Sequence, residues 1–345
     1  EQKRMKIPLY IKLLFLVVVA AIIALVAWSE YQRFLHQPVN LIEDETIFTI
    51  YPGDNISKVS QRLYDSGLSP VPSVYLDIYA RMQGNAQQIK AGEYRVESDA
   101  TLPDLLNLFI SGKVVQYSIT IVEGMTAKQL FEKVLGHPKI KKTLPELNNE
   151  TVREALSIEN ERVEGLFLPE TYHFPANTTD VQFLSRAYQN MQVQLENAWQ
   201  LMTEELPYDS AYEVLIMASI IEKESAVPEE RPEIAGVFVR RLDKGMRLQT
   251  DPTVIYGMGD SYDGNIRKKD LQTDTPYNTY TRFGLPPTPI CLPSKESIEA
   301  AMNPAEGSSL YFVAGAENGG HVFSDNLQDH NRAVRKYWQN KQITQ

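Results

Sequence analysis

Apolar positions along the chain fall into three regimes. From Leu13 to Trp28 sixteen residues pass without a charge. Counted back through Ile7 to Tyr10, the apolar span reaches the ~20 residues that cross a bilayer, and Lys12 within it can snorkel. One transmembrane helix is predicted within residues 1–29. Lys3, Arg4, Lys6 and Lys12 lie at its start and Glu30 follows it. The positive-inside rule then predicts a short cytoplasmic tail and places everything after about residue 29 on the far side of the membrane. A cleaved signal peptide fits less well, because the run is long and no small-x-small site follows it.

After a juxtamembrane linker at 30–45, the second regime repeats a scheme of strand, turn and amphipathic helix. "FTIYPGDNISKVSQRLYDSG" (48–67) pairs a strand with a Pro-Gly turn, an Asp54 or Asn55 cap, and a helix whose Ile56, Val59 and Leu63 share one face. "GEYRVESDATLPDLLNLFISGK" (92–113) and "ITIVEGMTAKQLFEKVLGHP" (119–138) follow the same plan. No unit can bury its apolar face alone, which predicts one small α+β module over 46–138. Its turns leading into helices resemble LysM-like modules, which bind glycan in cell-wall proteins.

The third regime, 139–345, mixes helical periods with long polar stretches. A mostly helical connector is expected over 139–165, then an aromatic, proline-interrupted loop, "EGLFLPETYHFPANTT" (164–179). Helices are expected at about 180–203, 210–225 and 229–243. Residues 246–293 carry Thr, Asp, Asn, Tyr, Gly and Pro without helical period. Long ordered loops on a helical scaffold tend to carry function. A hairpin of 310–315 with 319–324 and a closing helix at 325–341 complete an α+β chain.

Composition narrows the chemistry. The single cysteine, Cys291, excludes an internal disulfide framework, and the five histidines show no ligand spacing, so neither a metal nor another cofactor is expected. Beyond residue 12 the chain holds 30 basic against 43 acidic residues. That balance argues against a nucleic-acid partner and suits an uncharged or mixed-charge polymer.

The candidate chemistry lies in "MASIIEKESAVPEE" (217–230), where an apolar helix runs into two glutamates. On a helix Glu224 shares its face with Met217, Ile220 and Ile221, whereas Glu222 follows Leu215, Ala218 and Ser219. Glu224 also stands at the helix C-terminus, where the dipole disfavours a carboxylate. Desolvation and dipole together favour the protonated form that a general acid needs. A structural Glu224 facing solvent stays open at this point. A glycosidase pair would need a second carboxylate, for which Asp251 and Glu170 are available. Ser225 lacks the elbow motif of a nucleophile, and "GMGDSYDG" (257–264) lacks the lysine of a phosphate loop.

Five stretches, "EGLFLPETYHF", "ASIIEKESA", "RLDKGMRLQTDPTVIYGMG", "YNTYTRFGLPPTPI" and "YFVAGAENGGHVFSDNLQDHN", together resemble the YceG-like endolytic murein transglycosylases. So does the plan of one N-terminal transmembrane helix, a LysM-like module and a catalytic domain at 139–345. The resemblance implies a membrane-anchored lytic transglycosylase acting on peptidoglycan outside the bacterial cytoplasmic membrane. Such enzymes cut the β-1,4 bond between N-acetylmuramic acid and N-acetylglucosamine inside a strand and leave a 1,6-anhydromuramic end. It also implies work beside the peptidoglycan synthases, the penicillin-binding proteins. The Glu-Ser pair of these enzymes falls on Glu224 and Ser225, so the implied acid and base is Glu224 alone. Gln249, Thr250, Asp251, Asn278 and Tyr280 are expected to hold the sugar with Ser225, and Glu170 and Tyr172 to form a far wall. Two other readings compete: a non-catalytic cell-wall scaffold, and a hydrolase that leaves reducing ends.

Overall fold

The computed structural model describes residues 8–41, 43–202, 205–225, 227–315 and 320–343. Lys3, Arg4 and Lys6, and residues 316–319 of the expected hairpin, lie outside the described residues. The chain forms two compact units, one reaching to Tyr117 and one beginning at Ser118.

The first unit starts with α1 (Leu9–His36), of which Tyr10–His36 is long and apolar enough to cross a membrane. Its side chains from Leu13 to Leu25 are largely exposed, as an anchor requires, yet Phe34 near its end is buried in the unit's core. Then come β1 (Glu45–Ile50), α2 (Ile56–Asp65), α3 (Val74–Met82), β2 (Gly92–Glu97) and α4 (Leu102–Ser111). Strands β1 and β2 pair antiparallel, with Phe48 opposite Tyr94. The predicted face of α2 is buried: Ile56, Val59 and Leu63 join Phe48, Tyr94 and Phe109 in one apolar cluster. Each such side chain contributes roughly 1.5–3 kcal/mol by leaving water. Asn55 caps α2 through the Lys58 N–H, and Thr101 and Asp104 close a capping box on α4.

The second unit begins earlier than the boundary at 138 expected from the repeat. β3 (Gln116–Thr120) pairs with β5 (Thr171–Pro175), and α5 (Ala127–Gly136) packs Phe131 edge-on against Phe167. The third strand-turn-helix stretch therefore has its partners downstream. β4 (Ile140–Lys141) pairs in parallel with β6 (Thr178–Thr179), flanking α6 (Asn149–Ala155). The helical layer holds α7 (Asp180–Gln200), α8 (Ala211–Glu224) and α9 (Arg231–Asp243), followed by α10 (Asp251–Met258), α11 (Lys268–Gln272) and α12 (Lys295–Met302). Among 246–293, read from the sequence as loop, α10 and α11 are helical: Pro252 near the start of α10 fixes φ where no N–H donor is needed. Every residue of α8 from Val214 to Ile221 is buried, so this helix is a central one with no solvent face along that stretch. The hairpin β7 (Tyr311–Ala314) and β8 (His321–Ser324) is antiparallel, and α13 (Leu327–Ile343) closes the unit.

Candidate active site

α8 delivers two carboxylates. It ends at Glu224 because Ser225 turns to extended backbone, and the Ser225 hydroxyl closes the turn by accepting the Val227 N–H at 3.0 Å and donating to its carbonyl at 2.9 Å. The two glutamates then part company. Glu222 has a side chain only 6% exposed and is fully engaged: Oε2 accepts from the Ser294 N–H, the Ser294 hydroxyl and the Ser297 hydroxyl, and Oε1 pairs with Arg231 at 3.2 Å. This is a structural strut between α8, α9 and α12.

Glu224 instead lines a cavity of about 340 Å³ with Gln249, Asp251, Tyr280, Arg241 and Tyr311. Its one hydrogen-bond donor among the described residues is the Thr250 hydroxyl. Burial pushes its carboxyl up to about 7; the neighbouring negative charge of Asp251 adds to the rise, while Thr250, His321 and Arg241 oppose it. The group is thus poised between acid and base at neutral pH.

The loop at 248–251 is fixed from below. Thr250 is buried; its N–H donates to the Thr279 hydroxyl at 3.1 Å, and Thr253 bonds both the Thr250 carbonyl and Thr279. Asp251, the first residue of α10, accepts from the Tyr280 phenol at 2.6 Å. Burial first, and then that bond to Asp251, holds the Tyr280 phenol protonated well above its usual range. Gln249 adopts φ 51° and is exposed at the cavity, the only non-glycine residue of this loop in the left-handed region.

Of the expected site residues, Thr250, Asp251, Tyr280 and Gln249 converge on Glu224. Four others have different duties. Asn278 is 1% exposed; its amide donates to the carbonyls of Asp270, Leu271 and Thr273 and its oxygen accepts the Tyr280 N–H, so it shapes the loop that presents Tyr280. Tyr172 is 4% exposed, with its phenol on the Leu168 carbonyl, and belongs to the core. Glu170 is exposed and does not line the Glu224 cavity, and Ser225 is a turn residue.

Sequence reasoning missed the cationic back of the cavity. Arg241 on α9 lies over the Tyr311 ring at 5.1 Å and donates to the Leu248 and Leu310 carbonyls. His330, stacked on Tyr311, also lines the cavity, and burial holds its pKa below the usual value. An arginine buried in the run "RLDKGMRLQTD" was the available signal. Among the described residues no cluster of His, Cys, Asp and Glu could hold a metal ion.

A model of the YceG-like family matches residues 48–336. An endolytic murein transglycosylase of Bacillus subtilis is 31% identical over 331 residues, 90% of either chain. One from Streptococcus pneumoniae is 29% identical over 322 residues, which cover 84% of this chain and 58% of that protein. A crystal structure of a putative yceG-like protein from Listeria monocytogenes is similar at TM-score 0.54 and 29% identity, covering 84% of this chain and 99% of that one.

Proposed function

The chain belongs to the YceG-like family, and from that premise we propose that it is an endolytic murein transglycosylase in which Glu224 is acid and then base. The observation that carries the assignment to Glu224 is its setting: a carboxyl with one donor, raised to about 7, in a polar cavity. Glu222, two residues away, has both carboxylate oxygens engaged by protein donors and does not line the Glu224 cavity.

The protonated Glu224 gives its proton to the oxygen of the β-1,4 bond between N-acetylmuramic acid and N-acetylglucosamine. As that bond breaks, an oxocarbenium-like centre develops at C1 of the muramyl ring. The Glu224 carboxylate then removes the proton from the C6 hydroxyl, whose oxygen bonds to C1 and closes the 1,6-anhydro ring. The proton returns to Glu224, no water enters, and no second carboxylate is needed. Asp251, held by Tyr280, stands beside the developing positive charge and stabilises it, and Gln249 offers an amide to the sugar.

The anchor reading follows the same line. α1 fits a membrane anchor, and we propose a single pass with the N-terminus inside and the catalytic unit on nascent strands outside, beside penicillin-binding synthases. The first unit, with its strand-helix-helix-strand order, acts as a LysM-like spacer or glycan grip.

The test is mass spectrometry of purified peptidoglycan treated with the detergent-solubilised full chain, beside Glu224→Gln. Internal fragments ending in 1,6-anhydromuramic acid, absent with the variant, are expected. Reducing ends would replace this reading with a hydrolase, and absence of products from both proteins would replace it with a scaffold.

A further inference from the structure

The cavity around Glu224 is not the largest in the second unit. A groove of about 860 Å³ runs between α5 and α10, with Glu164, Lys223, Arg162 and Tyr256 among its lining residues. The two cavities share walls residue by residue. Lys223 lines the groove and Glu224 the reaction cavity on the last turn of α8; Pro252 lines the groove and Asp251 the reaction cavity on the first turn of α10.

The groove is built from a buried polar base. Glu164, 6% exposed, accepts the Ala127 N–H that opens α5 at 2.9 Å and the Tyr256 phenol of α10 at 3.2 Å, so it ties the two walls together. Gly165 beside it has φ 82°, and a Cβ there would meet Pro289 at 2.4 Å; only glycine lets the chain deliver Glu164 to this place. Tyr256 packs edge-on against Tyr277, giving an aromatic wall.

Its cations differ in kind. Lys128 is already paired with Asp260 at 2.8 Å. Lys223 has only the Gly124 carbonyl at 3.4 Å, and Arg162 has no carboxylate partner among the described residues. Both are exposed, and both have N–H donors to offer an incoming anion.

We propose that this groove binds the peptide arm of the muramyl residue, with Lys223 and Arg162 taking its carboxylates and the Tyr256 and Tyr277 wall its apolar part. A glycan strand cut at Glu224 has to pass the reaction cavity, and what branches from its muramyl ring is the lactyl-linked peptide, which carries carboxylates. A groove one residue away from Glu224 on α8 and from Asp251 on α10, holding two cations without a carboxylate partner among the described residues, suits that arm. The inference rests on the transglycosylase reading, and two measurements separate their fates.

The first compares glycan strands bearing peptides with strands stripped by an amidase, using the full chain in detergent. Peptide-bearing strands are expected to be cut at least ~10-fold better in kcat/KM, and Lys223→Ala with Arg162→Ala to bring that ratio close to one. Equal cutting of both strands by the wild type, or a ratio unchanged in the double variant, overturns the proposal. The second measures binding of a synthetic N-acetylmuramyl peptide with free carboxylates by calorimetry on the Glu224→Gln chain, with and without the two groove substitutions. Binding lost only with the groove substitutions upholds the groove even if no strand is cleaved, in which case the reaction assignment alone falls. No binding in either chain overturns the groove whatever the cleavage result.

Discussion

Glu222 and Glu224 leave one helical turn two residues apart and end in opposite environments. Around Glu222, two serine hydroxyls, a backbone N–H and Arg231 form a closed nest; around Glu224 there is one threonine hydroxyl and an open cavity. The difference teaches that the supply of donors separates these two carboxylates better than depth does. Four donors tie Glu222 into the fold, whereas burial with a single donor among the described residues raises the Glu224 carboxyl at an open cavity.

The sharpest way to break the comparison is to remove each carboxylate's charge without its shape. Glu224→Gln is expected to lower formation of anhydro ends by about 10³-fold or more while the chain folds normally, since a positioned acid and base contributes on the order of 10²–10⁴ per proton transfer. Glu222→Gln is expected to do the reverse. Uncovering Arg231 in a buried pair costs about 3 kcal/mol, read as a lowered urea midpoint, with residual activity per folded molecule. If Glu222→Gln abolished turnover at full stability, the assignment of roles would be inverted.

Stability against pH offers a further contrast. The folded Glu224 carboxyl is raised from 4.5 to about 7, so below about 4.5 both folded and unfolded states keep the proton and it costs nothing. As pH rises from 4.5 to 7 the unfolded chain loses this proton first, and the wild type loses stability. Glu224→Gln is therefore expected to gain about 2 kcal/mol on the wild type between pH 5 and pH 8, a figure reduced for partial solvent screening. Denaturant titrations at the two pH values check it, and equal midpoint differences at both would remove the raised carboxyl.

The finest test sets two neighbours against each other. Thr250 lowers the Glu224 pKa and Asp251 raises it. Thr250→Val should move the alkaline limb of the kcat profile to higher pH, and Asp251→Asn should move it to lower pH, each by a fraction of a unit to about one unit. Shifts of the same sign in both variants would mean that the limb belongs to another group.

Local pattern suffices for elements whose signal lies in adjacent residues. The α2 face of Ile56, Val59 and Leu63, the long apolar N-terminal helix, the hairpin near the end and the helix bearing Glu224 were all legible, because period and caps are properties of adjacent residues. The helical-face argument for Glu224 was not sufficient in itself: α8 is buried on all sides from Val214 to Ile221, so no stripe separates the two glutamates. The resemblance to a family supplied that choice, and the proposal for Glu224 draws its physical support from the hydrogen bonds and the cavity.

What the sequence by itself determined is therefore local: an apolar N-terminal helix, an α+β chain, no cysteine framework, and a helix that ends in carboxylates before Pro228. Only the tertiary structure decided how each carboxylate is engaged, because Ser294, Ser297 and Arg231 reach Glu222 from α9 and the start of α12 while, among the described residues, Thr250 alone donates to Glu224. It also decided that Asn278 braces a loop, that Arg241 backs the cavity, and that α5 belongs with the second unit. Burial and hydrogen-bond supply depend on partners tens of residues away in the chain, and no period along the sequence encodes them.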